Sequence, residues 1–157
     1  MRLSLLIAVL LLAGCDAFFD PEGSNDRQAS VERLEGTWTL TTRSERIAYD
    51  GTITPAGGTE TRALEVAQEV TCNRDQRLRA EGEETRAYVV SDPAAPSALR
   101  TCGLLTVDQD GKRIVFLGLN EDAAGNIVDD GGDRQEWHFY TVLTDGTTDR
   151  TIWTLTR

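Results

Sequence analysis

Three stretches of the chain, GTWTLTTR at 36–43, RQEWHFYTVLT at 134–144 and DRTIWTLTR at 149–157, carry large apolar residues at every second position. In the first, Trp38 and Leu40 alternate with Thr37, Thr39 and Thr41. In the second, Trp137, Phe139, Thr141 and Leu143 share one face, and His138, Tyr140 and Val142 the other. In the third, Trp153 and Leu155 alternate with Ile152, Thr154 and Thr156. A period of two is the mark of a strand with one face in a core and one in water. Further strands are expected over 47–54, 64–71, 86–90, 100–107 and 112–118, where Val, Ile, Thr and aromatic residues dominate. The stretch ETRALEVAQEV at 60–70 would tolerate a helix, but Leu64, Val66 and Val70 keep even spacing, and it is read as a strand. Asp-Gly pairs at 50–51, 110–111 and 145–146 stand between such runs and predict tight hairpins. A Pro-rich loop is expected at 91–98 and a longer acidic one at 119–133. Many short strands and frequent turns, without a strongly amphipathic helix, indicate an all-β antiparallel domain.

The N-terminus has a different character. Arg2 precedes an apolar run from Leu3 to Ala13 broken only by Ser4, and the chain turns acidic after Cys15. The run fits a secretory h-region of about 7–15 residues and is too short to span a bilayer. Leu12-Ala13-Gly14-Cys15 resembles the bacterial lipobox, at which a lipoprotein precursor is acylated on the Cys and cleaved before it. The resemblance implies a signal peptide over 1–14, lipidation at Cys15 and anchoring to a bacterial membrane in the cell envelope, on its periplasmic or outer side. It leaves inner or outer membrane undecided. Residues 15–33, rich in Asp, Ser and Gly and without period, read as the lipidated end and a flexible tether. Phe18 and Phe19 within it could dip into the membrane interface. The domain itself is placed at 34–157. In an exported protein with Cys15 acylated, Cys72 and Cys102 remain to pair as a disulfide, two separate buried thiols being the alternative.

The 26 acidic side chains outnumber 16 basic ones, giving a formal charge of −10. Phosphate backbones would be repelled by such a surface, so no nucleic-acid partner is expected.

LEGTWTLTT at 34–42 resembles the opening strand of lipocalins and of the lipocalin-like domains of bacterial lipoproteins, through Gly36-Thr37-Trp38. TCNRDQRL at 71–78, with Cys102 beyond it, is similar to the Cys-containing middle of such domains. The resemblance implies an antiparallel up-and-down barrel of about eight strands, with a β-sandwich as the alternative. It further implies that Trp38 closes one end, with Arg157 or Arg150 packed across its ring by cation–π contact.

The sequence holds no nucleophile elbow, Walker loop or dinucleotide-binding glycine pattern. His138 is the single histidine and is placed on a surface or edge, opposite Trp137. Two spaced Cys and one His do not make a zinc set. The side chains of Glu121, Asp122, Asn126, Asp129, Asp130 and Asp133 offer hard oxygens for calcium, yet lack EF-hand spacing. The chain is accordingly expected to be no enzyme, with no cofactor and no metal. A binding module is expected, holding a small apolar or amphipathic ligand within the barrel. Its wall residues by alternation are Trp38, Leu40, Phe116, Trp137, Phe139, Trp153 and Leu155. The alternative is a protein-interaction module, such as an exported protease or lysozyme inhibitor, presenting loop 119–133 or the N-terminal arm.

Overall fold

A computed structural model describes residues 21–73, 75–95, 98, 100–117 and 124–157. Among the described residues one helix, α1 (Pro21–Leu34), leads into eleven strands. These are β1 (Gly36–Ile47), β2 (Ile53–Pro55), β3 (Glu60–Ala67), β4 (Glu69–Asn73), β5 (Gln76–Arg79), β6 (Thr85–Ser91), β7 (Thr101–Val107), β8 (Arg113–Leu117), β9 (Ala124–Asp130), β10 (Arg134–Val142) and β11 (Thr148–Thr156). Strands β1, β3, β6, β7, β8, β9, β10 and β11 follow one another around a ring, and β11 pairs back onto β1. That closing seam runs antiparallel from Thr39↔Thr156 to Ile47↔Thr148. The fold is a closed, antiparallel, up-and-down barrel of eight strands of lipocalin-like type, and the sandwich alternative falls away. Closure leaves no open sheet edge in the ring.

Two appendages complete it. Strand β2 turns back on the end of β1, Ile47 facing Ile53. The hairpin β4–β5 pairs only with itself and lies on the outside of β6 and β7. There Val70 and Cys72 cover Ala87 and Val89 to form a second, smaller core. Cys72 and Cys102 are joined by a disulfide across it, with Cα atoms 5.8 Å apart.

The alternation of the sequence becomes inside and outside. Trp38, Leu40, Leu64, Val66, Leu105, Ile114, Trp137 and Leu155 point inward and form the buried core. The three Asp-Gly pairs all make the expected turns, with Gly51, Gly111 and Gly146 in the left-handed region that glycine adopts without penalty.

Several expectations are corrected. Residues 21–33 are no tether but most of α1. Its Pro21 occupies the first helical position, where a missing N–H costs nothing. Val31 and Leu34, three residues apart, are buried against the barrel, so tertiary contact supplies what the weak apolar pattern does not. The 119–133 stretch is no continuous loop, since residues 124–130 are β9, between β8 and β10. The register of β9 slips between Glu136 and Trp137, which pair with Asp129 and Ile127. Val128 is the extra residue of this bulge, which explains its 58 % exposure. Residues 48–52, expected within a strand, form the turn between β1 and β2, and the 64–71 run breaks at Gln68. The expected signal peptide over 1–14, Cys15, Phe18 and Phe19 lie outside the described residues, as do Glu121 and Asp122.

Candidate binding cavity

One end of the barrel is sealed. Trp38 is 1 % exposed, and its Nε1 donates to the Leu34 carbonyl at 2.8 Å, so the end of α1 is fastened to the floor. The Arg157 guanidinium lies 4.1 Å from the centroid of the Trp38 ring. It also donates to the carbonyl oxygens of Glu35 (2.5 Å) and Arg33 (3.2 Å). Of the two arginines named by the resemblance it is therefore Arg157 that packs on the ring. Arg150 is instead paired with Glu45 on the outer face. Gly36 has φ +127°, and a Cβ there would come within 3.4 Å of the Arg157 guanidinium. A glycine thus suits both the backbone and the approach of the arginine. Arg86, almost fully buried, closes the floor beside it through Glu35 and the Glu83 carbonyl.

Above the floor the interior is filled. Trp137 and Leu155 are 0 % exposed, and Trp137 Nε1 donates to Gln135 Oε1 at 3.1 Å. Toward the other end the packing stops. An open cavity of about 610 Å³ occupies the mouth. Its bed is aromatic: Tyr88, Phe116, Phe139 and Trp153 line it. Phe116 sits 5.0 Å from Tyr88 and 5.5 Å from Trp153, and Phe139 sits 5.0 Å from Trp153, centroid to centroid. These spacings are those of attractive edge and tilted pairs. Burial alone raises the Tyr88 hydroxyl above its ordinary range, so it is a neutral group at any physiological pH. Leu40 and Val90 complete the apolar wall, while Thr42, Thr101, Thr141 and Thr151 ring it with hydroxyls.

Two inward glycines make room for the rings. A Cβ on Gly103 would lie 2.8 Å from Tyr88, and one on Gly125 2.6 Å from Phe139. Each glycine is the cross-strand partner of the ring it accommodates.

Of the seven expected wall residues, the structure brings Leu40, Phe116, Phe139 and Trp153 to the cavity. Trp38, Trp137 and Leu155 point inward too, but belong to the filled half. Sequence reading missed Tyr88, Val90 and the charged pair Glu60 and Arg62, all of which line the mouth. His138 is on the outer face as expected, yet well covered. Its Nε2 lies 2.7 Å from Glu136 Oε1 and its Nδ1 3.4 Å from the Tyr140 hydroxyl. The hydrogen bond to His138 is the main reason the Glu136 carboxyl titrates below its ordinary range. For the acids weighed as calcium ligands, Asp129 is held by Arg134 and Asp130 by Arg33 (2.8 Å).

No family model matches the chain. No curated protein matches it either. Among solved structures it is similar to the S-type phycobiliprotein lyase CPES from Guillardia theta. The two share 14 % sequence identity and a TM-score of 0.41, over 88 % of this chain and 97 % of that one. That structure is named a lyase, which stands at odds with the expectation of no enzyme.

Proposed function

We propose that the chain is a lipid-anchored envelope protein whose barrel carries a small apolar or amphipathic ligand in its mouth. One observation carries this reading: a barrel sealed by Trp38 and Arg157 at one end opens at the other into about 610 Å³ lined by four aromatic rings. Ligand cavities in proteins commonly measure about 300–1,000 Å³ and combine apolar walls with a few polar groups. The mouth has both.

The anchor is argued from the lipobox-like Leu12-Ala13-Gly14-Cys15. Two or more acyl chains hold a protein stably at a bilayer where one does not. Among the described residues no helix is long and apolar enough to cross a membrane. The chain enters the barrel through Leu34 at the floor, so attachment at Cys15 would leave the mouth at the far end from the anchor.

The test is native mass spectrometry of the protein released from its own membranes, followed by peptide mapping. A single retained small mass and a diacylated Cys15 peptide are expected. An apo protein that also binds no added amphiphile would overturn the carrier reading, and an unmodified Cys15 in a membrane-free protein the anchor.

A further inference from the structure

We infer that the ligand is an amphiphile with one anionic head group, of the carboxylate class, and that Arg62 is the residue that receives the head. The inference rests on the carrier reading above and specifies its ligand. On β3 the inward positions are Glu60, Arg62, Leu64 and Val66, in order from mouth to floor. Leu64 and Val66 are fully buried in the core. Arg62 has the same parity, stands opposite Leu40 across the β1–β3 ladder, and lines the cavity. A guanidinium is thus mounted on the inner wall of the barrel, directly above an apolar bed. Inward strand positions are ordinarily apolar, so a half-exposed guanidinium at the rim of this bed stands where the polar end of a ligand would lie.

The partner within the chain is incomplete. Glu60 receives Arg62 Nε at 3.4 Å and Nη2 at 3.2 Å, both on the same oxygen. These bonds are long for a charge-assisted pair, and guanidinium carries five N–H donors. Arg46, just beyond the mouth, shows the contrasting case: it holds both oxygens of Asp149 at 2.8 and 3.1 Å. Arg46 is committed, whereas Arg62 keeps donors for a second carboxylate.

Depth decides the sign of the head group. Arg62 lies one inward position nearer the floor than Glu60, and its side chain is 43 % exposed against 65 % for Glu60. A ligand with its apolar part on the rings of Phe116 and Trp153 meets the cation before the acid.

Decanoate, decan-1-ol and decyltrimethylammonium, each below its aggregation limit, test this by quenching of tryptophan emission in the purified full chain. Decanoate is expected to bind about ten- to a hundredfold more tightly than decan-1-ol, the range of one charge-assisted bond. Arg62→Gln should abolish that difference and leave decan-1-ol unchanged, while Arg62→Lys should keep part of it. Glu60→Gln, which frees the guanidinium, should tighten decanoate further, and this arm stands if Arg62→Gln does not fold. Equal affinity for decanoate and decan-1-ol, or preference for the cation, overturns the inference while the carrier reading survives. Binding of none of the three overturns both.

Discussion

Replacing Trp38 by alanine removes a ring that is 1 % exposed, together with its hydrogen bond to Leu34 and the surface on which Arg157 rests. Truncation of a buried Trp costs about 3–5 kcal/mol. The orphaned Leu34 carbonyl adds about 1 kcal/mol, and the lost cation–π contact about 0.5–1 kcal/mol. The total, about 4.5–7 kcal/mol, is comparable with the whole stability of many domains. Trp153→Ala removes the same indole ring, but from a half-buried residue on a wall that already faces open space. No new enclosed void is made, and the cost should be about 1–2 kcal/mol of lost apolar burial. Urea unfolding of both variants measures the contrast as a change in midpoint at constant slope. Should Trp38→Ala fail to fold, Trp38→Phe, which keeps most of the ring but no N–H, should still cost about 1–2 kcal/mol. Equal losses for Trp38→Ala and Trp153→Ala would mean that the mouth is packed like the floor, and the reasoning that separates them would be wrong.

Three further outcomes are expected. Reducing Cys72–Cys102, which closes a 30-residue separation, should lower stability by about 3–4 kcal/mol in the chain-entropy treatment; identical unfolding midpoints with and without reductant would contradict this. Gly125→Ala places a methyl 2.6 Å from the Phe139 ring and should cost about 1–3 kcal/mol, read from urea unfolding and accompanied by a change in near-UV dichroism as the ring shifts. On the outer face, the hydrogen bond from Arg150 holds the Glu45 carboxyl below its ordinary range. A depressed carboxylate contributes stability in full above its unfolded value, about 4.3, and loses it as pH falls through the folded value. Melting temperatures of Glu45→Gln and the parent should therefore differ most near neutral pH and converge toward pH 3, and a gap that widens on acidification would refute the assignment.

Much of the barrel was legible because its strands have two unlike faces. In β1, β10 and β11 the bulky residues alternate with Thr and charged residues, and the Asp-Gly pairs mark where the chain reverses. Parity, however, reports inside or outside and not height along the barrel. All seven expected wall residues therefore point inward, while only four reach the cavity. Arg62 was passed over because a charge in a strand is usually read as solvent-facing, although its even spacing with Leu64 and Val66 was visible in the sequence. The acidic composition of 119–133 hid β9, whose single extra residue, Val128, also breaks the alternation. In α1 only Val31 and Leu34 carry the apolar face, too few to stand out before the barrel floor is present to receive them.

Calorimetric titration of decanoate into the full chain, compared with a Val90→Trp variant that fills the mouth from its own wall, tests most directly whether the hollow end is the binding site. Val90 lines the cavity and is only partly buried, so the larger side chain has space to enter without disturbing the floor. One molecule bound per chain in the parent, and none in a Val90→Trp protein that still folds, is the expected result. Undiminished binding to the filled barrel would contradict it.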